Sequence, residues 1–284
     1  MNDKKIHDRL EIFNVKQTSI GLIIGIIFVH IIFTTVMNLI MFKNGYFGPI
    51  IKMLNGWVNA TLAANFIGIL FEVVIILIII GRLSPRDLGI KREKLLSGFL
   101  GTLLFWLIIN IFLFLIAMLT NIKLKFNNEI VSNPNMVFGT LFGQLFGNAL
   151  LEEIVFRGFL FVQIYLLLTK IKKEKVRILG SVLLSQFIFA IIHIPNRIYS
   201  GLVGVEYFFD FIQLVIIGII LSYIYFATRN IFFVIGIHSL INYQPMLWNS
   251  NFSKILILIC FLILPFILIL MKRKKELSQS TTHI

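Results

Sequence analysis

Three short stretches hold side chains able to move a proton or to bind a developing negative charge, and each lies in apolar surroundings. The first runs Glu152-Glu153-Ile154-Val155-Phe156-Arg157. Glu153 and Arg157 are four residues apart, so on a helix they share one face, with the acid N-terminal, the favourable order for an ion pair. Glu152 then lies about 100° around the helix and has no local partner. An unpaired carboxylate in an apolar setting suits general-base work. The second stretch ends Phe189-Ala190-Ile191-Ile192-His193, just before Ile194-Pro195. The third, His238-Ser239-Leu240-Ile241-Asn242, again places two polar groups on one face.

Each stretch has a plain structural reading. Glu153 with Arg157 locks helices together. A lone His193 near the end of an apolar helix is usually a satisfied residue. His238 with Asn242 is an interhelical contact of about 1 kcal/mol. Their joint occurrence is what points to chemistry. A carboxylate base, two imidazoles and an amide donor are the parts needed to activate water and to hold an oxyanion. The donors would also suit a divalent metal, but no helical His-Glu-x-x-His pattern is present. The set therefore requires no cofactor and leaves room for a divalent metal.

The elements that position these residues are membrane helices. Of the 284 residues 58% are hydrophobic and only 14% charged, too few charges to disperse a soluble domain of this length. The apolar residues fall in runs of about twenty, the length that crosses a bilayer core as a helix. The expected fold is all-α, a polytopic bundle of about eight spans near 19–42, 58–81, 95–120, 137–169, 178–194, 207–227, 230–246 and 251–271. Residues 1–18 form a polar segment, 19–271 the transmembrane domain, and 272–284 a basic tail. The acids sit in the fourth span, which is long for a single crossing, and the histidines close the fifth and occupy the seventh. Three charges at a helix centre cost roughly 2.5–3.5 kcal/mol each, so they must face protein or water.

The net charge of +13 does not signal nucleic acid, because no basic face alternates with aromatics. Nineteen of the 26 Lys and Arg residues fall in the N-terminal segment, 82–95, 170–177, 228–229 and the tail. Six fall in the alternate connections, and Arg157 is the remaining one. This asymmetry predicts an even number of spans with both termini in the cytoplasm. Trp57 and Trp248 are the expected outer interfacial anchors. Ser84-Pro85-Arg86-Asp87 is a helix-start signal in the second connection. Cys260 reads as a packing residue. His30, Glu72 and Asp210 complete no pattern at helical spacing, and Glu72 is a candidate contact for Arg157.

Glu-Glu-x-x-x-Arg at 152–157, Phe-x-x-x-His at 189–193 and His-x-x-x-Asn at 238–242 resemble, in order, the three motifs of the CPBP family. This is the CAAX-protease and bacteriocin-processing family of intramembrane endopeptidases, also called the Abi family. The resemblance covers about 82–246 and includes Leu88-Gly89-Ile90. It implies a conical cavity between spans four, five and seven. It implies that Glu152 and His193 activate a water, that His238 and Asn242 stabilise the oxyanion, and that Glu153 and Arg157 support them. The implied partners are the lipid bilayer and a membrane-embedded or membrane-tethered peptide or protein. The AT-rich residue usage favours a bacterial plasma membrane. Two rival readings remain: a non-enzymatic scaffold or bacteriocin-immunity protein on the same fold, and a proton-coupled carrier, for which no inverted repeat speaks.

Overall fold

The computed structural model describes residues 14–250 and 252–281. Most of the polar N-terminal segment, and the last residues of the basic tail, lie outside the described residues. The described chain is helical apart from one two-stranded ribbon. Helix α1 is Ile20–Phe42, α2 Gly48–Met53, α3 Ala60–Ile80, α4 Leu95–Thr120, α5 Glu129–Ser132 and α6 residues 134–167. Then follow α7 Glu174–Ile192, α8 Ile194–Tyr199, α9 Gly204–Thr228, α10 Ile231–Asn242 and α11 Ser253–Thr281.

Among the described residues six helices are long and apolar enough to cross a membrane: α1, α3, α4 with its first turn, α7 running into α8, α9, and α11. The remaining two expected spans carry three of the four candidate catalytic residues, Glu152, His238 and Asn242. Helix α6 holds Glu152, Glu153 and Arg157, and α10 is only twelve residues long. Both are enclosed by the others. Every side chain from 151 to 165 is buried, as a helix apolar on all sides requires. That enclosure keeps the three charges off lipid.

Small residues bring α6 to the centre. Gly139, Gly143 and Gly147 repeat every four residues along one face. A Cβ at Gly139 would run into the Gly56 carbonyl, and one at Gly143 into the Asn59 side chain. One at Gly147 would sit 3.2 Å from the Leu62 Cα. This is the small-residue packing typical of membrane helices, and it seats α6 directly on α3. Asn59 also caps α3, its Oδ1 accepting from the Leu62 N–H at 2.8 Å.

At the other end of α6, Gln163 is buried and holds the N-terminal strand. Its Oε1 accepts from the Thr18 N–H at 2.9 Å, and its Nε2 donates to the Lys16 carbonyl at 2.9 Å. The Lys16 N–H in turn donates to Asp87 at 2.9 Å. Asp87 closes the expected capping box with Ser84, over a single 3-10 turn at Pro85–Leu88. Gly89 ends that turn at φ 78°, a left-handed conformation that glycine adopts without strain. Burial raises the Asp87 carboxyl pKa, but hydrogen bonds from Ser84 and the Lys16 backbone, with the Lys16 charge, lower it below the usual 3.8.

The structure departs from the sequence expectation in the connection between α4 and α6. Residues 121–136 are not wholly loop: Lys125–Phe126 pairs antiparallel with Trp248–Asn249. This ribbon holds Trp248 against Phe114 and Phe126 at ring separations of 5.9 and 6.2 Å. Trp57 stacks on Phe138 and Phe142. The last span ends at Met271 as expected, and its helix continues beyond the span to Thr281.

Candidate active site

The acids of α6 sit on one α-helical turn, Ala149–Glu153, between two π-helical stretches, Gly143–Asn148 and Ile154–Leu160. The Ala149 N–H reaches back to the Gln144 carbonyl and the Phe161 N–H to that of Phe156, five residues each. Such widened turns recur at functional sites, because they change which residues share a face. Here they turn Gln144, Asn148 and Glu152 onto one cavity wall.

Glu153 and Arg157 form the expected ion pair, Nη1 to Oε1 at 2.9 Å, with both side chains fully buried. The guanidinium does more than pair. Its Nη2 donates to Gln186 at 2.9 Å, and Gln186 donates to Ser222 at 2.9 Å, so α6, α7 and α9 are joined in one polar network. Arg157 also lies over the Phe189 ring, 4.7 Å from its centroid.

Glu153 has a second partner that the spacing did not show. His238 Nδ1 lies 2.6 Å from the same Oε1. Arg157 holds Glu153 as an acceptor, so His238 Nδ1 carries the hydrogen. His238 Nε2 is left facing Glu152, 3.6 Å from Oε2.

His193 is fixed by the helix break that carries it. Pro195 stands in the first turn of α8, and the His193 N–H bonds to Ala190 rather than continuing α7. The Phe189 carbonyl, released from the helix ladder, accepts from His193 Nδ1 at 2.8 Å. A carbonyl only accepts, so the proton is on Nδ1 and Nε2 is the free nitrogen. That nitrogen lies 3.7 Å from Glu152 Oε1. Phe189 thus has two tasks: its carbonyl sets the His193 tautomer and its ring lies between His193 and Arg157.

Glu152 therefore stands between two imidazole nitrogens, each too far for a direct hydrogen bond, so a water beside either gap can touch the carboxylate and the ring together. Its Oε2 is buried without a hydrogen-bond partner among the described residues. A cavity of about 350 Å³ opens from this point, and Glu152, His193, His238 and Asn242 all line it. Asn242 lies toward the outside, its Nδ2 donating to Gln144 at 3.0 Å. Among the described residues, no group of three His, Cys, Asp or Glu side chains is arranged to hold a metal ion.

Glu72 does not contact Arg157. It is fully buried and pairs with His30, Nδ1 to Oε2 at 2.7 Å, because α1 packs against α3, while Arg157 is engaged by Glu153 and Gln186. Asp210 pairs with Arg197 at 2.6 Å. The sequence reading also passed over the amides of the cavity wall, Asn38, Asn65, Gln144, Asn148 and Asn196. Gln144 and Asn148 precede Glu152 at steps of four, a signal that was present in the sequence.

Residues 133–244 match the family model described as Rce1-like, type II CAAX prenyl endopeptidase Rce1-like. The match begins after the expected 82–132 portion of the family core, and it spans all of α6 to α10, including Glu152, Glu153, Arg157, His193, His238 and Asn242. No curated protein and no solved structure matches the chain. Over residues 133–244, about two fifths of its length, this multi-pass membrane chain is thus similar to the CAAX-protease, or CPBP, family.

Proposed function

We propose that the protein is an intramembrane endopeptidase that cleaves a peptide bond in a membrane-embedded or membrane-tethered substrate with a water activated by Glu152. The observation that carries this reading is the position of Glu152. Its carboxylate is unpaired, borders a cavity, and faces two imidazole nitrogens at 3.7 and 3.6 Å.

Charge balance assigns the protons. Glu72, Glu152 and Glu153 are three carboxylates at membrane depth against one buried guanidinium, Arg157. Uncompensated charge there is costly. Glu153 balances Arg157, and a proton on the His30–Glu72 pair balances the second acid. A proton on His238 balances Glu152, and its Nε2–H then faces the cavity as a donor. His193 stays neutral with its Nε2 lone pair toward Glu152.

A water between Glu152 and His193 gives its proton to the carboxylate as its oxygen attacks the peptide carbonyl carbon. The carbonyl becomes an oxyanion, held by His238 Nε2–H and by the Asn242 amide hydrogen not given to Gln144. The C–N bond then breaks, and the proton on Glu152 passes to the leaving nitrogen, which leaves as an amine. No step in this scheme needs a metal, and a divalent ion bound near Glu152 would act only as an additional acid.

The charge asymmetry supports a cytoplasmic placement of both termini, and the AT-rich residue usage supports a plasma-membrane placement. The 19–271 region would be one transmembrane domain with the catalytic unit in 82–246. The test is cleavage by the full chain in liposomes, using a prenylated peptide with a CAAX end and an unprenylated membrane-tethered peptide as probes. Cleavage of either, lost in Glu152→Gln and His193→Ala while both variants stay folded, supports the enzyme. Full biological activity in both variants supports the scaffold or immunity reading instead.

A further inference from the structure

The hydrolytic scheme leaves most of the cavity wall without a task. We propose that the cavity admits an unwound, extended, uncharged stretch of peptide and recognises it through its main chain, with Asn148 and Asn65 pairing with peptide groups. This rests on the endopeptidase reading and names the form in which that site takes its substrate.

A helical peptide satisfies its own N–H and C=O groups, and unwinding it at membrane depth leaves them costly unless paired. An Asn side chain offers a donor and an acceptor together, the complement of a peptide unit. Gln144 and Asn242 hold each other at 3.0 Å. Asn65 uses its Nδ2 on the Thr61 carbonyl at 2.8 Å, which leaves its Oδ1 as an acceptor. Asn148 has no protein hydrogen-bond partner among the described residues, is half-buried, and lines the cavity.

The spacing suits an extended chain. Asn148 is four residues before Glu152, about 6 Å along the helix. An extended peptide advances about 3.3 Å per residue. For a peptide lying along α6, Asn148 therefore meets it about two residues from the bond that faces Glu152. Asn65, on α3, approaches the same wall from across the Gly147 contact. Charged peptide side chains find no free counter-charge: Arg197 is held by Asp210 and Asn196 at 2.6 and 2.7 Å, and the Glu152 charge is offset by the His238 proton at 3.6 Å. Unpaired charge in such a place is costly.

The experiment measures binding to the full chain in detergent, with Glu152→Gln so that the peptide survives. The probe is a fluorescein-labelled, uncharged peptide of alanine and serine, followed by anisotropy. Each backbone amide is N-methylated in turn, and one peptide carries a Lys or Asp. The parent peptide should bind, and methylation at one or two positions should weaken it about five- to tenfold. Asn148→Ala and Asn65→Ala should each weaken the parent by a similar factor. At its own sensitive position the methylated peptide should lose nothing further. The charged peptide should bind worse than any methylated one. An unchanged unfolding midpoint qualifies each variant, and two variants guard against one that does not fold. No binding of the parent peptide overturns the proposal, as does binding indifferent to methylation and to both substitutions. Cleavage of membrane-tethered peptides with indifferent binding would leave hydrolysis standing and remove main-chain recognition. The expected binding pattern without any cleavage would do the reverse.

Discussion

Glu152 and Glu153 are adjacent in sequence, yet removing their charges should have opposite consequences. Glu153 accepts from Arg157 at 2.9 Å and from His238 at 2.6 Å, and both Glu153 and Arg157 are fully buried. In Glu153→Gln the guanidinium keeps Gln186 but loses its counter-charge. Breaking a buried pair from one side costs about 3–5 kcal/mol, a large share of a total of about 5–15 kcal/mol. At about 2–4 °C per kcal/mol for a domain of this size, the unfolding midpoint should drop by roughly 10 °C. Glu152 makes only 3.6 and 3.7 Å approaches, and one of its oxygens has no partner. Its amide isostere should change stability by about 1 kcal/mol or less. The same change should lower the cleavage rate by about 10²–10⁴-fold, the usual share of a general base. Cys260, the lone cysteine, is half-buried and reports unfolding through a thiol-reactive dye during a thermal scan in detergent. Equal midpoints for the two variants, or a larger drop for Glu152→Gln, would refute the division of labour between the two acids.

Other outcomes follow from the same geometry. Gly143→Leu places a side chain where Asn59 packs, and it should cost about 1–3 kcal/mol or more as α3 and α6 are forced apart; thermal unfolding of the variant checks this. The Asp87 carboxyl is held below its usual value, so its contribution is present above pH 3.8 and is lost as pH falls through the lower folded-state value. Asp87→Asn should therefore lower the unfolding midpoint at neutral pH, and the difference should shrink as pH falls through the folded-state value, below which both forms are neutral. Treatment with a divalent chelator should leave cleavage unchanged, and a loss restored by adding zinc would move the water onto a metal.

The fold was legible in the sequence because lipid allows few alternatives. Runs of about twenty apolar residues must be helices, and the structure has them where expected. The Glu153–Arg157 pair was legible because both partners lie on one helix face. His238 as a second partner of Glu153 was not, because 85 residues separate them and helical periodicity says nothing across helices. The His30–Glu72 and Arg197–Asp210 pairs escaped for the same reason. The π-helical stretches around Glu152 carry no local sequence sign, whereas the steps of four from Gln144 to Asn148 to Glu152 did mark a common face. The Gly139-Gly143-Gly147 spacing was likewise readable as a helix-packing stripe.

The central claim is that the Glu152 carboxylate turns a cavity in the membrane into a hydrolytic site. Mass spectrometry of a membrane-tethered peptide, incubated with the full chain in liposomes, tests it most directly. The wild-type protein should release two fragments whose masses sum to the peptide plus one water, and Glu152→Gln, equally folded, should release none. Undiminished cleavage by Glu152→Gln would contradict the account.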